Sequence, residues 1–216
     1  MPSVWRMKVL CKAMDEQNEH KRRLMLHSIF DGYNASSDWP GFAFLDDLLE
    51  MYPNVRVILN TRKTPGEWQE SVSSSLSFFS TWQYHLLTYW SPMCYYHFKM
   101  YRTFARLAKS RYGVDDIFTE KCYNRHNQWV RDVAAKHGQV VLEWEPDDGW
   151  PPICKLLGCE EPQKAFPRTN ETVEIDRLKR VLVKRGVQAW AGILGALVIC
   201  FFIMRHTLGL SLQLGF

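Results

Sequence analysis

From Ala189 to Met204 the chain reads AWAGILGALVICFFIM, with no charge and no strong hydrogen-bonding side chain. With Val187 and Gln188 the run reaches Arg185 on one side and Arg205 on the other. A helix of that length spans about 27 Å, close to the hydrocarbon thickness of a thin bilayer. Trp190 lies near one end, where an indole prefers the interface. Arg177, Lys179, Arg180, Lys184 and Arg185 precede the run, and only Arg205 and His206 follow closely. The basic bias therefore predicts a single-pass membrane protein, anchored through residues 187–205, with its globular part in the cytosol. The competing reading is a buried apolar helix that closes the core. Asn34-Ala35-Ser36 and Asn170-Glu171-Thr172 are glycosylation acceptors. They report the topology, because a cytosolic domain leaves them unmodified.

The rest of the chain has room for one core, which divides the sequence into residues 1–172, a charged linker 173–186, the span 187–205 and a short tail 206–216. The net charge of +4 is spread among both signs, so no nucleic-acid partner is expected. The six cysteines form no CxxC and have no histidines at ligand spacing, which predicts scattered reduced thiols and no metal site. Arg6, Lys8, Lys12, Asp15, Glu16 and Glu19 interrupt any apolar core in the first thirty residues, so no secretory signal is expected there.

Residues 1 to about 30 carry apolar side chains at helical spacing. Pro40 can open a helix through Phe42, Leu45, Leu48 and Met51. The segment 54–59 (NVRVIL) is the strongest strand, short and β-branched as in a strand covered on both faces. Thr64-Pro65-Gly66-Glu67 starts a new helix. A helix over 116–136 precedes a second buried strand at 139–143 (QVVLE), and a short helix spans 150–157. Residues 159–172 read as a loop. This rhythm predicts an α/β fold.

Ligands in open α/β sheets collect beyond the carboxyl ends of strands. Arg62 lies there, with Ser71, Ser73, Ser74 and Ser75 on the helix that follows. A guanidinium beside hydroxyls suits phosphate oxygens; an arginine capping the sheet edge is the plainer alternative. The stretch 78–102 is aromatic and free of carboxylates. It reads either as a helical pair broken at Pro92 or as a lid or membrane-facing surface.

The ordered motifs GYNASSDWPGFAFLDDLLEMYPNVRVILNTRKTPGEWQESV, YNRHNQWVR at 123–131, VVLEWEPDDGWPPICKLLG at 140–158 and FPRTNET at 166–172 resemble the P-loop sulfotransferase-like proteins of fungi and animals. The resemblance implies a three-layer α/β/α fold with a P-loop-type parallel sheet. It also implies a 3′-phosphoadenosine 5′-phosphosulfate donor, with Arg62 and Ser71 matching the positions that hold the donor's 3′-phosphate. Family members open with a strand and a glycine-rich loop of the form G-x-x-R-T-G-T-x-S, whose amides cradle the 5′ phosphates. Here the first 31 residues contain no glycine. The expectation is a domain lacking its first strand and phosphate loop, with residues 1–30 filling the gap or the neighbouring strands left with open edges.

Sulfuryl transfer to a hydroxyl needs a base. Asp38 in the DWP motif is the candidate, with helix N-capping as its alternative. His126 reads as a packed or surface histidine before a catalyst. Two functions follow. One is a sulfotransferase acting on a lipid or hydrophobic alcohol at a membrane; the other is a non-catalytic relative that keeps the scaffold and the tail.

Overall fold

Polar caps, more than apolar periodicity, set where the helices of this chain begin. The computed structural model describes residues 3–167 and 171–213, the side chains of 171, 172 and 207–213 excepted. Asn170, and with it the second glycosylation acceptor, lies outside the described residues. The amino-terminal stretch is two helices: α1 (Val4–Asp15), capped by Ser3, and α2 (Glu19–Phe30), capped by Asn18. The Asn18 side chain accepts a hydrogen bond from the Lys21 amide at 3.0 Å, which starts a new helix where the apolar spacing alone reads on. These residues therefore fill no gap in a sheet. Met7, Leu10, Cys11 and Met14 of α1 bury themselves instead with Met100, Phe104 and Ala108.

A 3₁₀ turn (Gly41–Phe44) leads into α3 (Leu45–Met51). Asp47 on α3 is buried and takes a two-pronged ion pair from Arg22, at 2.7 and 3.0 Å, and a third contact from Arg23. That cluster fastens α2 to α3.

Strand β1 (Val57–Asn60) pairs in parallel with β2 (Val141–Trp144), in the register Val57 to Val141 and Asn60 to Trp144. Both strands lie where β-branched runs place them, shifted toward their carboxyl ends. The expectation of cover on both faces fails for β1. Val57 and Leu59 pack on Leu49 of α3 and on Val130 and Val133, whereas Ile58 on the other face is 38% exposed. Among the described residues the sheet has these two strands.

Helix α4 (Pro65–Leu76) follows β1, capped by Thr64 with Pro65 in its first turn. After a 3₁₀ turn (Ser77–Ser80) come α5 (Trp82–Thr88) and α6 (Pro92–Tyr112), separated at Ser91-Pro92 as the sequence predicts. Gly113 ends α6 in the left-handed region at φ 65°, which costs glycine nothing. Helix α7 (Glu120–Lys136) begins at the Thr119 cap, four residues later than the expected helix. A 3₁₀ turn (Pro146–Asp148) and α8 (Pro151–Leu157) follow β2.

The charged linker and the apolar run form one unbroken helix, α9 (Glu171–Gln213). Its first half lies against the domain. Lys179 Nζ donates to the Ser74 carbonyl at 2.8 Å, and Trp190 Nε1 donates to the Leu86 carbonyl at 2.9 Å. A Cβ at Gly186 would lie 2.5 Å from the Leu87 carbonyl oxygen, so glycine is what admits α5 here. From Leu194 to Met204 the large apolar side chains are exposed, and none of the most apolar eighteen-residue window is buried. The helix is long and apolar enough to cross a membrane, and it does not close the core.

Candidate functional site

The carboxyl end of the sheet is built by three segments. Pairing of β1 with β2 runs one residue past the strands, where the Thr61 amide donates to the Trp144 carbonyl at 2.9 Å. The chain then leaves the sheet through Arg62 and Lys63, and Thr64 turns it into α4 by accepting a hydrogen bond from the Glu67 amide. The Arg62 amide donates to the buried Tyr123 hydroxyl of α7 at 3.0 Å, which fixes the backbone of this loop. The Tyr123 ring packs on Trp68 of α4 with centroids 5.0 Å apart. The Gln69 side chain accepts from the Glu120 amide at 2.7 Å, so the first turns of α4 and α7 are joined as well.

On this fixed loop the Arg62 side chain is exposed, and no hydrogen bond or ion pair engages its guanidinium among the described residues. Its neighbour Lys63 is engaged, with Asp147 at 3.1 Å. Ser71 lies six residues into α4, about 9 Å along the axis from Pro65. It is exposed, and its carbonyl, not its hydroxyl, takes the bonds from Ser74 and Ser75. Ser73 is turned inward, toward the Phe118 carbonyl. Of the serines on α4, Ser71 thus keeps a hydroxyl free at the surface, while Ser73, Ser74 and Ser75 spend theirs on backbone oxygens.

Asp38 sits on a separate turn, exposed and with φ 57°, a left-handed backbone that aspartate tolerates better than most residues. It does not cap the following 3₁₀ turn, whose cap position is Pro40 with no side-chain hydrogen bond. Burial, and the negative charge of Asp38 nearby, push the Tyr101 hydroxyl up to about 12. Tyr101 stacks on Trp39 at 5.7 Å and meets Phe118 at 6.1 Å. Since Phe118 also accepts from Ser73, a continuous path of contacts runs from the DWP turn to α4. Trp39 Nε1 is buried there without a hydrogen-bond partner.

His126 lies inside the protein and not at the sheet edge. Its Nδ1 is 3.0 Å from the Tyr112 hydroxyl, and Phe42 meets its ring edge to face at 5.1 Å. Burial, aided by the Arg111 charge, pushes its pKa down to about 4, so it is neutral at pH 7. A surface cavity of about 390 Å³ lies at the turn between α1 and α2, lined by Lys12, Asp15, Glu16, Gln17 and Met25, and it includes none of the candidate residues.

Sequence reasoning missed Tyr123. The signal was available, because Tyr123 opens the YNRHNQWVR motif, but its partner lies 61 positions away and only the parallel crossover brings the two together. The last residue of that motif, Arg131, forks onto Glu143 of β2 at 2.7 and 2.9 Å.

A family model described as a sulfotransferase domain matches residues 1–175. The Ava biosynthesis cluster protein M of Aspergillus versicolor is 27% identical over 196 residues, covering 82% of this chain and 72% of that protein.

Proposed function

The chain belongs to the sulfotransferase domain family, and from that premise we propose that it is a membrane-tethered sulfotransferase-like protein that binds a 3′-phosphoadenosine 5′-phosphosulfate donor through Arg62 and Ser71. One observation carries this reading: beyond the carboxyl end of β1, the Arg62 guanidinium on a loop pinned by Tyr123 and the Ser71 hydroxyl on α4 are both exposed, with no hydrogen-bond partner among the described residues. Planar N–H donors and a rotatable hydroxyl suit the three acceptor oxygens of a 3′-phosphate. The donor, when bound, would supply the sulfuryl group and leave as adenosine 3′,5′-bisphosphate. The acceptor in this reading is a lipid or hydrophobic alcohol, and Asp38 takes the proton of its hydroxyl. The parallel pair β1–β2, with α4 to α7 as its crossover, supports placing the domain in a three-layer α/β/α, P-loop-type fold. The exposed apolar run of α9 supports the membrane tether, and the basic residues 177–185 support a cytosolic domain.

A second reading is a non-catalytic relative that keeps only the scaffold. Residues 1–31 contain no glycine, so a glycine-rich amide cradle for the 5′ end of the donor is not among them. Calorimetric titration of the full chain in detergent with adenosine 3′,5′-bisphosphate separates the two. The binding reading expects heat of binding in the wild type and a loss of about 1.5–3 kcal/mol of affinity in Arg62→Ala. No heat at millimolar nucleotide leaves the scaffold reading standing.

A further inference from the structure

The membrane reading of α9 has a neighbour that the sulfotransferase reading does not use. Leu86, Tyr89 and Trp90, at the carboxyl end of α5, are 45%, 44% and 42% exposed. The opposite side of α5 is spent on the core, with Tyr84 and Thr88 fully buried, so the exposed side is a distinct face. That face abuts the start of the apolar run. The Trp190 indole donates to the Leu86 carbonyl, and its ring lies 5.1 Å from that of Tyr89. Close approach at Gly186 holds the two helices together one turn earlier.

We propose that the carboxyl end of α5 and the turn into α6 form a second bilayer contact, with Leu86, Tyr89 and Trp90 seated in the interfacial layer beside the span. The proposal rests on the membrane reading of α9. A bilayer that takes up Leu194 to Met204 brings its headgroup region to the level of Trp190, and α5 is fixed at that same level. Tyrosine and tryptophan favour this layer because each joins an apolar ring to a polar end. The charge pattern agrees: no carboxylate occurs from 78 to 102, Lys99 and Arg102 follow the patch in sequence, and Lys184 and Arg185 precede Trp190 on α9. Such a segment can approach anionic headgroups without repulsion.

The test uses the full chain reconstituted into phosphatidylcholine–phosphatidylserine vesicles that contain a lipid with a diazirine near the acyl carbonyl. After irradiation, labelled peptides are mapped by mass spectrometry. The expected result is label both in 187–205 and in 86–95. Label confined to 187–205 overturns the second contact and leaves the span intact. Label in neither overturns the span and this proposal together. In Gly186→Leu the added side chain would collide with the Leu87 carbonyl, so label in 86–95 falls several-fold while label in the span persists. Unchanged label in 86–95 in that variant overturns the docking of α5 by α9.

Discussion

His97 and His126 each make the fold sensitive to acid. Both rings are enclosed by aromatic neighbours, and burial lowers each pKa from 6.5 to about 4. Between those values the unfolded chain binds more protons than the folded one. Stability is therefore complete above about pH 6.5 and is lost as pH falls toward 4, by about 2–3 kcal/mol for each ring. Denaturant titrations in detergent at neutral and acidic pH check this. His126→Gln is expected to remove its own share of the acid-side loss, with His97 and paired carboxylates such as Asp46 carrying the rest. The sequence left His126 between a packed and a surface position, and the structure encloses it. The position of Arg62 at the carboxyl end of β1 was legible, because it follows a β-branched run. Tyr123 was not, because nothing local in a sequence announces which strand end a tyrosine will meet.

At the level of elements, the caps explain most of what pattern reading got right and wrong. Thr64-Pro65, Thr119 and Ser91-Pro92 set helix starts through side-chain oxygens that accept amide hydrogens. Asn18 does the same, inside the polar run 15–23 that a single-helix reading passes over. Thr64 joins the Arg62 loop to the helix that carries Ser71, so its cap has two roles. Thr64→Ala is expected to cost about 1 kcal/mol of stability, read as a lower denaturation midpoint, and to weaken nucleotide binding several-fold in calorimetry. The strand run 54–59 overstates β1 at its start, where Asn54 belongs to a turn and pairing begins only at Val57. The charged stretch 173–186 looked like a boundary because composition changes there. Helical hydrogen bonding is indifferent to that change, and lysine and arginine are good helix formers.

For the molecule as a whole, the sequence conveyed an α/β domain followed by an apolar helix, and both are present. It could not convey that the amino-terminal residues would join α6 in a helical core while the sheet kept one open face, since that choice is made by long-range packing. Orientation is the remaining whole-molecule property open to a direct test. Asn34 is exposed and lies in an acceptor triplet, so it would be glycosylated if the domain faced a lumen. Expressed in a eukaryotic cell, the protein is expected to show no endoglycosidase-sensitive mass at Asn34; such a shift would place the domain on the opposite side.

Because α9 has no joint between its domain-bound half and its apolar half, the chain has a pole and not a string. If the apolar half is embedded in a bilayer, as proposed, tilting it by some angle tilts the domain by that angle, and spinning it sweeps the Arg62 edge around a ring of fixed radius. A tether of the same length made of loop would let that edge wander through a hemisphere. On the proposed tether, a rigid pole holds that edge at one altitude above the bilayer.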